Sequence, residues 1–284
     1  MKINTNISSL TAQEAATNTN RNIASSLEKL STGLKINKAS DDASGLAIAD
    51  KLRTQVTSIN QGVANGNSAV ALLQIADKSM AEQSNILDTV KAKLIQANTD
   101  TTSDDGRAAI AKDVAKLLQQ LDNIAVQTNY NGTSLLQSSR TNTDAKGALS
   151  FQVGENKDDL ISTKSIQSNT IGFSLATLKS VSNTGGTTFT RAIASAGQTT
   201  IDKAITTLNG YRGDIGSTQN QVESAVRNLM TQATNIKNAE SVLRDVDYAE
   251  ESANFNKLNI ISQAGSYAIS QSNAVSQNVL RLLQ

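Results

Sequence analysis

Residues 201–243 read IDKAITTLNGYRGDIGSTQNQVESAVRNLMTQATNIKNAESVL, and the spacing of their apolar side chains decides the fold. Steps of alternately four and three residues from Ile201 meet an apolar side chain at ten of thirteen positions. A 3.5-residue repeat held this long is typical of helices that pack in a coiled coil. The seam predicted for this helix comprises Ile201, Ile205, Leu208, Val222, Val226, Leu229, Ile236 and Leu243.

The same spacing recurs toward both ends of the chain. Near the N-terminus it predicts a seam of Ile23, Leu27, Leu30 and Leu34. The helices that follow carry a seam of Ile48, Leu52, Val56, Ile59, Val63, Val70, Leu73, Ile110, Val114, Leu117, Leu121 and Ile124. The C-terminal end carries Leu258, Ile261, Ala268, Val275, Val279 and Leu282. Each arm can bury its seam against the other, which favours a mainly α fold with a long antiparallel coiled coil or helical bundle formed by the N- and C-terminal arms.

The middle of the chain, residues 138–197, has a different pattern. The helical period fades there, and Ser, Thr, Asn and Gly become frequent. Leu149, Phe151 and Val153 alternate with polar residues, and a turn at 154–159 precedes a second apolar pair. This alternation predicts a small β-hairpin. We expect the rest of the segment to be loop-rich and exposed.

The residue types that are absent narrow the function. The chain has no Pro, Cys or His among its 284 residues. Without Pro, long helices can continue uninterrupted. Without His or Cys, the commonest general base, metal ligand and thiolate nucleophile are missing, so we expect no enzyme, no metal site and no cofactor. The net charge of +1 and the short apolar runs favour neither a nucleic acid nor a membrane partner, and the polar start predicts no cleaved signal peptide.

The two ends of the chain are weak structures on their own. Residues 1–45 and 245–284 contain few large apolar side chains and many Asn, Ser, Ala and Gln. Two such helices bury too little area to offset an ordering cost of about 1–2 kcal/mol per residue. We therefore expect the ends to order when neighbouring subunits supply apolar surface, and an open, non-closing contact of this kind builds a helical filament.

Short motifs in the helices have plain structural interpretations. Ser26 and Lys29 form an S-x-x-K pattern, which we interpret as exposed helix surface since S-D-N and K-T-G are missing. The Gly62–Gly66 spacing predicts close helix packing, and Asp41–Asp42 predict an N-cap for a helix beginning near Ala43. A solvated acidic face is expected from Asp245, Asp247, Glu250 and Glu251.

Five stretches of the sequence resemble bacterial flagellins. They are residues 1–6 (MKINTN), 30–49 (LSTGLKINKASDDASGLAIA), 127–132 (QTNYNG), 151–154 (FQVG) and 278–284 (NVLRLLQ). The resemblance implies that 1–44 and 245–284 are the inner-core helices of a filament. Residues 45–137 and 198–244 would then form the outer helical-bundle layer, and 138–197 a short surface segment. Some flagellins carry O-linked sugars, so the Ser and Thr residues between Ser162 and Thr190 would either carry such sugars or form an unmodified solvated loop.

The same resemblance implies partners and a location. The chain would polymerise with itself into the extracellular flagellar filament, after type III export with an export chaperone, and would meet the filament cap and hook–filament junction proteins. Flagellins that stimulate a host Toll-like receptor carry an Arg where Thr89 stands, so we expect weak receptor binding. Two alternatives remain. One is a hook–filament junction protein with similar terminal helices. The other is a chemoreceptor-like coiled coil, and the β-like interruption in the middle of the chain argues against this second alternative.

Overall fold

The computed structural model describes residues 5–184 and 189–282, and for 276 and 278–282 it gives the backbone alone. Its helices are α1 (Ile7–Thr32), α2 (Ala43–Ala97), α3 (Asp104–Gln127), α4 (Ala176–Thr184), α5 (Arg191–Arg244) and α6 (Tyr248–Leu282). Its strands are β1 (Asn129–Tyr130), β2 (Thr133–Ser134), β3 (Ser150–Gln152) and β4 (Leu160–Ser162). The mainly α fold with a small β-containing middle is confirmed. The chain forms two compact units, the first from residues 1–56 with 234–284 and the second from 57–233.

In the first unit, α1 and α6 pair in antiparallel orientation. The Asn6 side-chain amide donates to the carbonyl of Ser272 at 3.2 Å, and the Ser262 hydroxyl lies 3.2 Å from Asn20 Oδ1. A short backbone bridge closes the other end of the pair, where the Val246 N–H donates to the Gly33 carbonyl at 3.0 Å. Gly33 has φ of 74°, a left-handed conformation that ends α1 without the strain a side chain would cause.

Polar side chains cap the starts of three helices. Asp42 Oδ1 accepts from the Gly45 N–H at 2.9 Å, which confirms the predicted N-cap of α2. The Ser103 hydroxyl accepts from the Gly106 N–H at the start of α3. At α6, Asp247 Oδ1 accepts from the N–H groups of Ala249 and Glu250, so this carboxylate is a cap as well as a solvated charge. Each cap satisfies donors that the first helical turn leaves unpaired.

The second unit is built on α2, α3 and α5. Helix α5 runs antiparallel to α2. Lys91, late in α2, pairs with Asp202, early in α5, whereas Asp77, earlier in α2, pairs with Arg212, later in α5. The fully buried side chains between the helices include Leu73, Leu87, Leu94, Leu118, Leu121, Ile201 and Leu208. The predicted close packing at Gly62–Gly66 is confirmed. A β-carbon on Gly66 would lie 2.4 Å from Val226 Cγ2 of α5, so only a glycine allows this approach.

The central segment is a mixture of confirmed and unexpected structure. The β3–β4 hairpin forms with Phe151 opposite Ile161, as the alternation predicts. Helix α4 and the β1–β2 hairpin were not predicted. The expectation of a loop-rich exposed insert is wrong for five side chains of this segment, which are buried in the same core as α2, α3 and α5: Ile166, Phe173, Leu175, Leu178 and Phe189. Leu135 and Leu136, which come just before the segment, are buried in that core too.

A buried carboxylate holds this segment in place. Asp122 of α3 is fully buried, and its carboxylate accepts from the Thr170 N–H at 2.7 Å and the Thr170 hydroxyl at 2.9 Å. The same carboxylate pairs with Lys179 of α4. Because a buried charge is tolerated only when it is paired and hydrogen-bonded, these contacts fix both the loop before α4 and α4 itself on α3.

Candidate assembly surface

The outer seam residues in the second unit lie inside that unit. Ile59, Leu73, Ile110, Val114, Leu121, Ile201, Leu208, Val222 and Val226 are buried. Val63, Val70, Leu117, Ile124, Ile205 and Leu229 are half-buried. In the first unit, Leu52, Val56 and Ile236 are half-buried, whereas Ile48 and Leu243 are exposed. The seam therefore holds the second unit together within one chain, and its members in the first unit are less covered.

The inner seam residues are less covered still. Ile23, Leu30, Leu34 and Leu258 are half-buried. Leu27, Ile261, Ala268 and Val275 are exposed. The side chains of Val279 and Leu282 lie outside the described residues. Within the described part, no member of this predicted seam is fully buried by the α1–α6 pair alone.

The first unit has an almost empty apolar core. Among its described residues, Ile36 and Ala49 are the only apolar side chains that are buried. Large apolar side chains are instead exposed along α1 and α6, with Ile260 at 67% and Tyr267 at 74%. We call seven of them the terminal apolar surface: Ile7, Leu10, Leu27, Ile260, Ile261, Tyr267 and Val275. Large apolar side chains exposed in this number on one helix pair point to an interaction site.

Four of these residues were missed by the sequence pattern, namely Ile7, Leu10, Ile260 and Tyr267. They fall outside the stripes that steps of four and three residues select, because a single stripe describes only one packed face of a helix. The adjacent pair Ile260–Ile261 was the available signal. Two neighbouring large apolar residues point about 100° apart on a helix, so at least one must face away from a single partner.

Ser26 is a correction to the sequence interpretation. We expected it on exposed helix surface, but it is only 2% exposed and its hydroxyl donates to the Glu251 carboxylate of α6. Glu251 is correspondingly half-buried and is not part of a fully solvated acidic face. The contact joins residues far apart in the chain. It gives the α1–α6 pair a polar contact that favours one register, because sliding the helices would leave Ser26 buried without a partner.

The turn between α1 and α2 is held by charge. Asp41 Oδ2 accepts from the N–H groups of Asn37 at 3.1 Å and Lys38 at 3.0 Å, and these backbone hydrogen bonds lower the pKa of Asp41 below its ordinary value. Lys38 donates to Glu28 at 2.7 Å, and that hydrogen bond and charge raise the pKa of Lys38. Both shifts favour the ionised forms that make these contacts.

The described residues fit neither a metal site nor a membrane span. No group of three or more His, Cys, Asp or Glu side chains is arranged there to hold a metal ion. None of the helices, over the part of the chain that is described, is long and apolar enough to cross a membrane.

Comparisons with known proteins match most of the chain. Residues 3–141 fit the model of the bacterial flagellin N-terminal helical region, and 198–283 fit that of the C-terminal helical region. The flagellar filament 31.3 kDa core protein of Treponema maltophilum is 32% identical over 292 aligned residues and covers 100% of both chains. The flagellin of Bacillus subtilis strain 168 is 33% identical, also over 100% of both chains. The chain belongs to the bacterial flagellin family.

A solved structure supports the fold of this flagellin. A flagellar hook-associated protein from Vibrio parahaemolyticus superposes with a TM-score of 0.59 at 13% identity, over 72% of this chain and 99% of that one. Flagellins are structural proteins, and this one is a subunit that polymerises into the helical filament of the bacterial flagellum, outside the cell, where the filament serves swimming motility.

Proposed function

We propose that this flagellin polymerises chiefly through the terminal apolar surface, which is incomplete in one subunit and completed by its neighbours. The observation that carries the proposal is a contrast within the described part of the first unit, where two apolar side chains are buried and eleven large ones are exposed, seven of them in the terminal apolar surface. Burying a large apolar side chain contributes roughly 1.5–3 kcal/mol. A helix pair that gains this free energy only from neighbouring copies folds firmly when it assembles, which couples folding to binding.

In this proposal the chain divides by layer. Residues 1–44 and 245–284 form the inner core of the filament, 45–137 with 198–244 form the next helical layer, and 138–197 face outward. The shared core of α2, α3 and α5 supports the part of the middle layer in residues 57–233, because it is packed within one subunit and does not depend on assembly. The polymer of such subunits would transmit motor torque along the filament, and it would require no catalysis and no cofactor.

The further partners proposed for the subunit follow from its family. It would leave the cell through type III export without a cleaved signal peptide, accompanied by an export chaperone. It would then be added at the filament cap, on a base of hook–filament junction proteins. The exposed apolar side chains of α6, such as Ile260 and Tyr267, support a need for a chaperone, because they would otherwise promote premature association in the cytoplasm.

The test compares two variants, each of which adds one negative charge to α6. Ile260→Asp adds a carboxylate to the terminal apolar surface, and Asn256→Asp adds the same charge at an exposed polar position one turn earlier. We expect Ile260→Asp to raise the critical concentration for seeded filament growth by roughly tenfold, since about 1.4 kcal/mol of burial is lost per subunit. Asn256→Asp should change it little. Equal effects of the two variants on sedimented polymer would overturn the proposal.

Recognition by a host receptor concerns a single position. Thr89 is exposed on α2, where its hydroxyl donates to the Asn85 carbonyl at 2.9 Å. Since an Arg often dominates an interface, Thr at this position should leave Toll-like receptor stimulation weak. We expect Thr89→Arg to raise the signal of a receptor reporter cell line severalfold, with Thr89→Lys as the control for charge alone. Full potency of the unmodified protein would contradict the expectation.

A further inference from the structure

The three Asn-Gly pairs of the chain lie in three different environments. They are Asn65–Gly66 in α2, Asn209–Gly210 in α5 and Asn131–Gly132 between β1 and β2. Asn-Gly is the dipeptide in which an asparagine side chain is most open to attack by the next backbone nitrogen, because glycine has no β-carbon to obstruct the approach. The surrounding structure then decides which of the three pairs can react.

Asn131–Gly132 is the least restrained of the three. Both residues are exposed, and they form the two-residue turn of a hairpin whose strands are only two residues long. Their φ angles of 49° and 79° are those of a type I′ turn. Within the described part of the chain, neither the Asn131 side-chain amide nor the Gly132 N–H makes a hydrogen bond. A hairpin this short and this exposed opens at little cost.

The other two pairs are held by their helices. The Asn65 side chain donates to the Gln152 carbonyl at 3.1 Å and accepts from Gln61 at 3.0 Å. Asn209 has an exposed side chain, but Gly210 lies in the interior of the 54-residue helix α5. Because the backbone of a helix interior is fixed, ring closure at either pair requires the helix to open.

We propose that Asn131 is a deamidation site of this protein, the position at which the folded subunit changes chemically with age. The Gly132 nitrogen attacks Asn131 Cγ, the new N–Cγ bond forms, and the Cγ–Nδ2 bond breaks. Ammonia leaves with the proton lost from the Gly132 nitrogen. Water then opens the resulting succinimide at one of its two carbonyls and gives either aspartate or isoaspartate, so the only co-reactant is water.

The product changes a turn that positions buried residues. Either product adds one negative charge, and isoaspartate also lengthens the main chain by one carbon at a turn of two residues. The strand after the turn leads directly to Leu135 and Leu136, which are buried, and the Leu135 N–H donates to the Thr128 carbonyl at 3.0 Å. A longer turn cannot keep this register, so the isoaspartate form loosens the start of the central segment.

The test compares the three pairs within one sample. The full-length protein is incubated folded and in denaturant, in mildly alkaline buffer, and the acid form of each Asn-Gly peptide is quantified by mass spectrometry. In denaturant the three rates should agree within severalfold. In the folded protein, Asn131 should keep a rate within about tenfold of its denatured rate, whereas Asn65 and Asn209 slow by at least about a hundredfold. If Asn131 slows as much as the helical pairs, the proposal fails.

A variant separates this chemistry from unfolding. In Gly132→Ala the added β-carbon meets no atom within 4 Å, so it obstructs the attack on Asn131 without a steric clash, although φ of 79° costs some stability. We expect deamidation at Asn131 to slow severalfold in this variant, in denaturant as well as in the folded chain. An unchanged rate in both conditions would show that the Gly132 nitrogen is not the nucleophile.

Discussion

A chain without residues 1–44 and 245–284 is expected to stay monomeric under conditions in which the full chain elongates filament seeds. The truncation removes α1, α6 and with them the whole terminal apolar surface. At roughly 1 kcal/mol for each of seven partly exposed large side chains, a subunit loses on the order of 7 kcal/mol of contact free energy. Since about 1.4 kcal/mol corresponds to a tenfold change in affinity, the critical concentration would rise by roughly five orders of magnitude.

Electron microscopy of seeded samples, with sedimentation of the polymer, measures this directly. The control is the fold of the truncated chain, because its core of α2, α3 and α5 lies in residues 57–233 and is left intact. Circular dichroism should therefore still show a cooperative thermal transition. Filaments from the truncated chain would mean that polymerisation depends on the second unit, and the role proposed for the terminal helices would be wrong.

The sequence pattern predicted the helices and most of the core of the second unit. Steps of four and three residues selected Leu73, Leu121 and Leu208, all fully buried, because a repeated apolar position records burial on one helix face. The same pattern could not tell which seams are covered within one chain. Leu27 and Val275 satisfy the repeat as well as Leu208 does, yet they are exposed. Periodicity specifies a face that needs a partner and does not specify whether that partner is another helix of the chain or another subunit.

Contacts between residues distant in sequence account for the errors. Ser26 is buried because Glu251, 225 residues away, accepts its hydrogen bond, and nothing near Ser26 in the sequence indicates this. The central segment is held by Asp122 and by side chains such as Phe173 and Leu175, which are too few and too irregularly spaced to form a period. Local sequence patterns predict helices and strands, whereas they do not predict an irregular segment, because contacts with residues distant in sequence position it.

Two glycine-to-alanine substitutions in long helices should change stability in opposite directions. A β-carbon on Gly62 of α2 would lie 2.3 Å from the Val153 backbone carbonyl oxygen, next to the β3–β4 hairpin, whereas one on Gly210 of α5 meets nothing within 4 Å. Alanine gains about 1 kcal/mol of helix propensity at either position. At Gly62 this gain is outweighed by about 3 kcal/mol of overpacking, because a backbone oxygen cannot rotate away as a side chain can.

The net expectation is a loss of about 2 kcal/mol for Gly62→Ala and a gain of about 1 kcal/mol for Gly210→Ala. For a unit of this size, each 1 kcal/mol shifts Tm by about 2–4 °C, so Tm should fall by about 4–8 °C in the first variant and rise by about 2–4 °C in the second. Thermal unfolding followed by circular dichroism measures both. A rise in Tm for Gly62→Ala would mean that the hairpin moves away from α2 at little cost, and the close packing at Gly62 would then contribute little to the stability of the second unit.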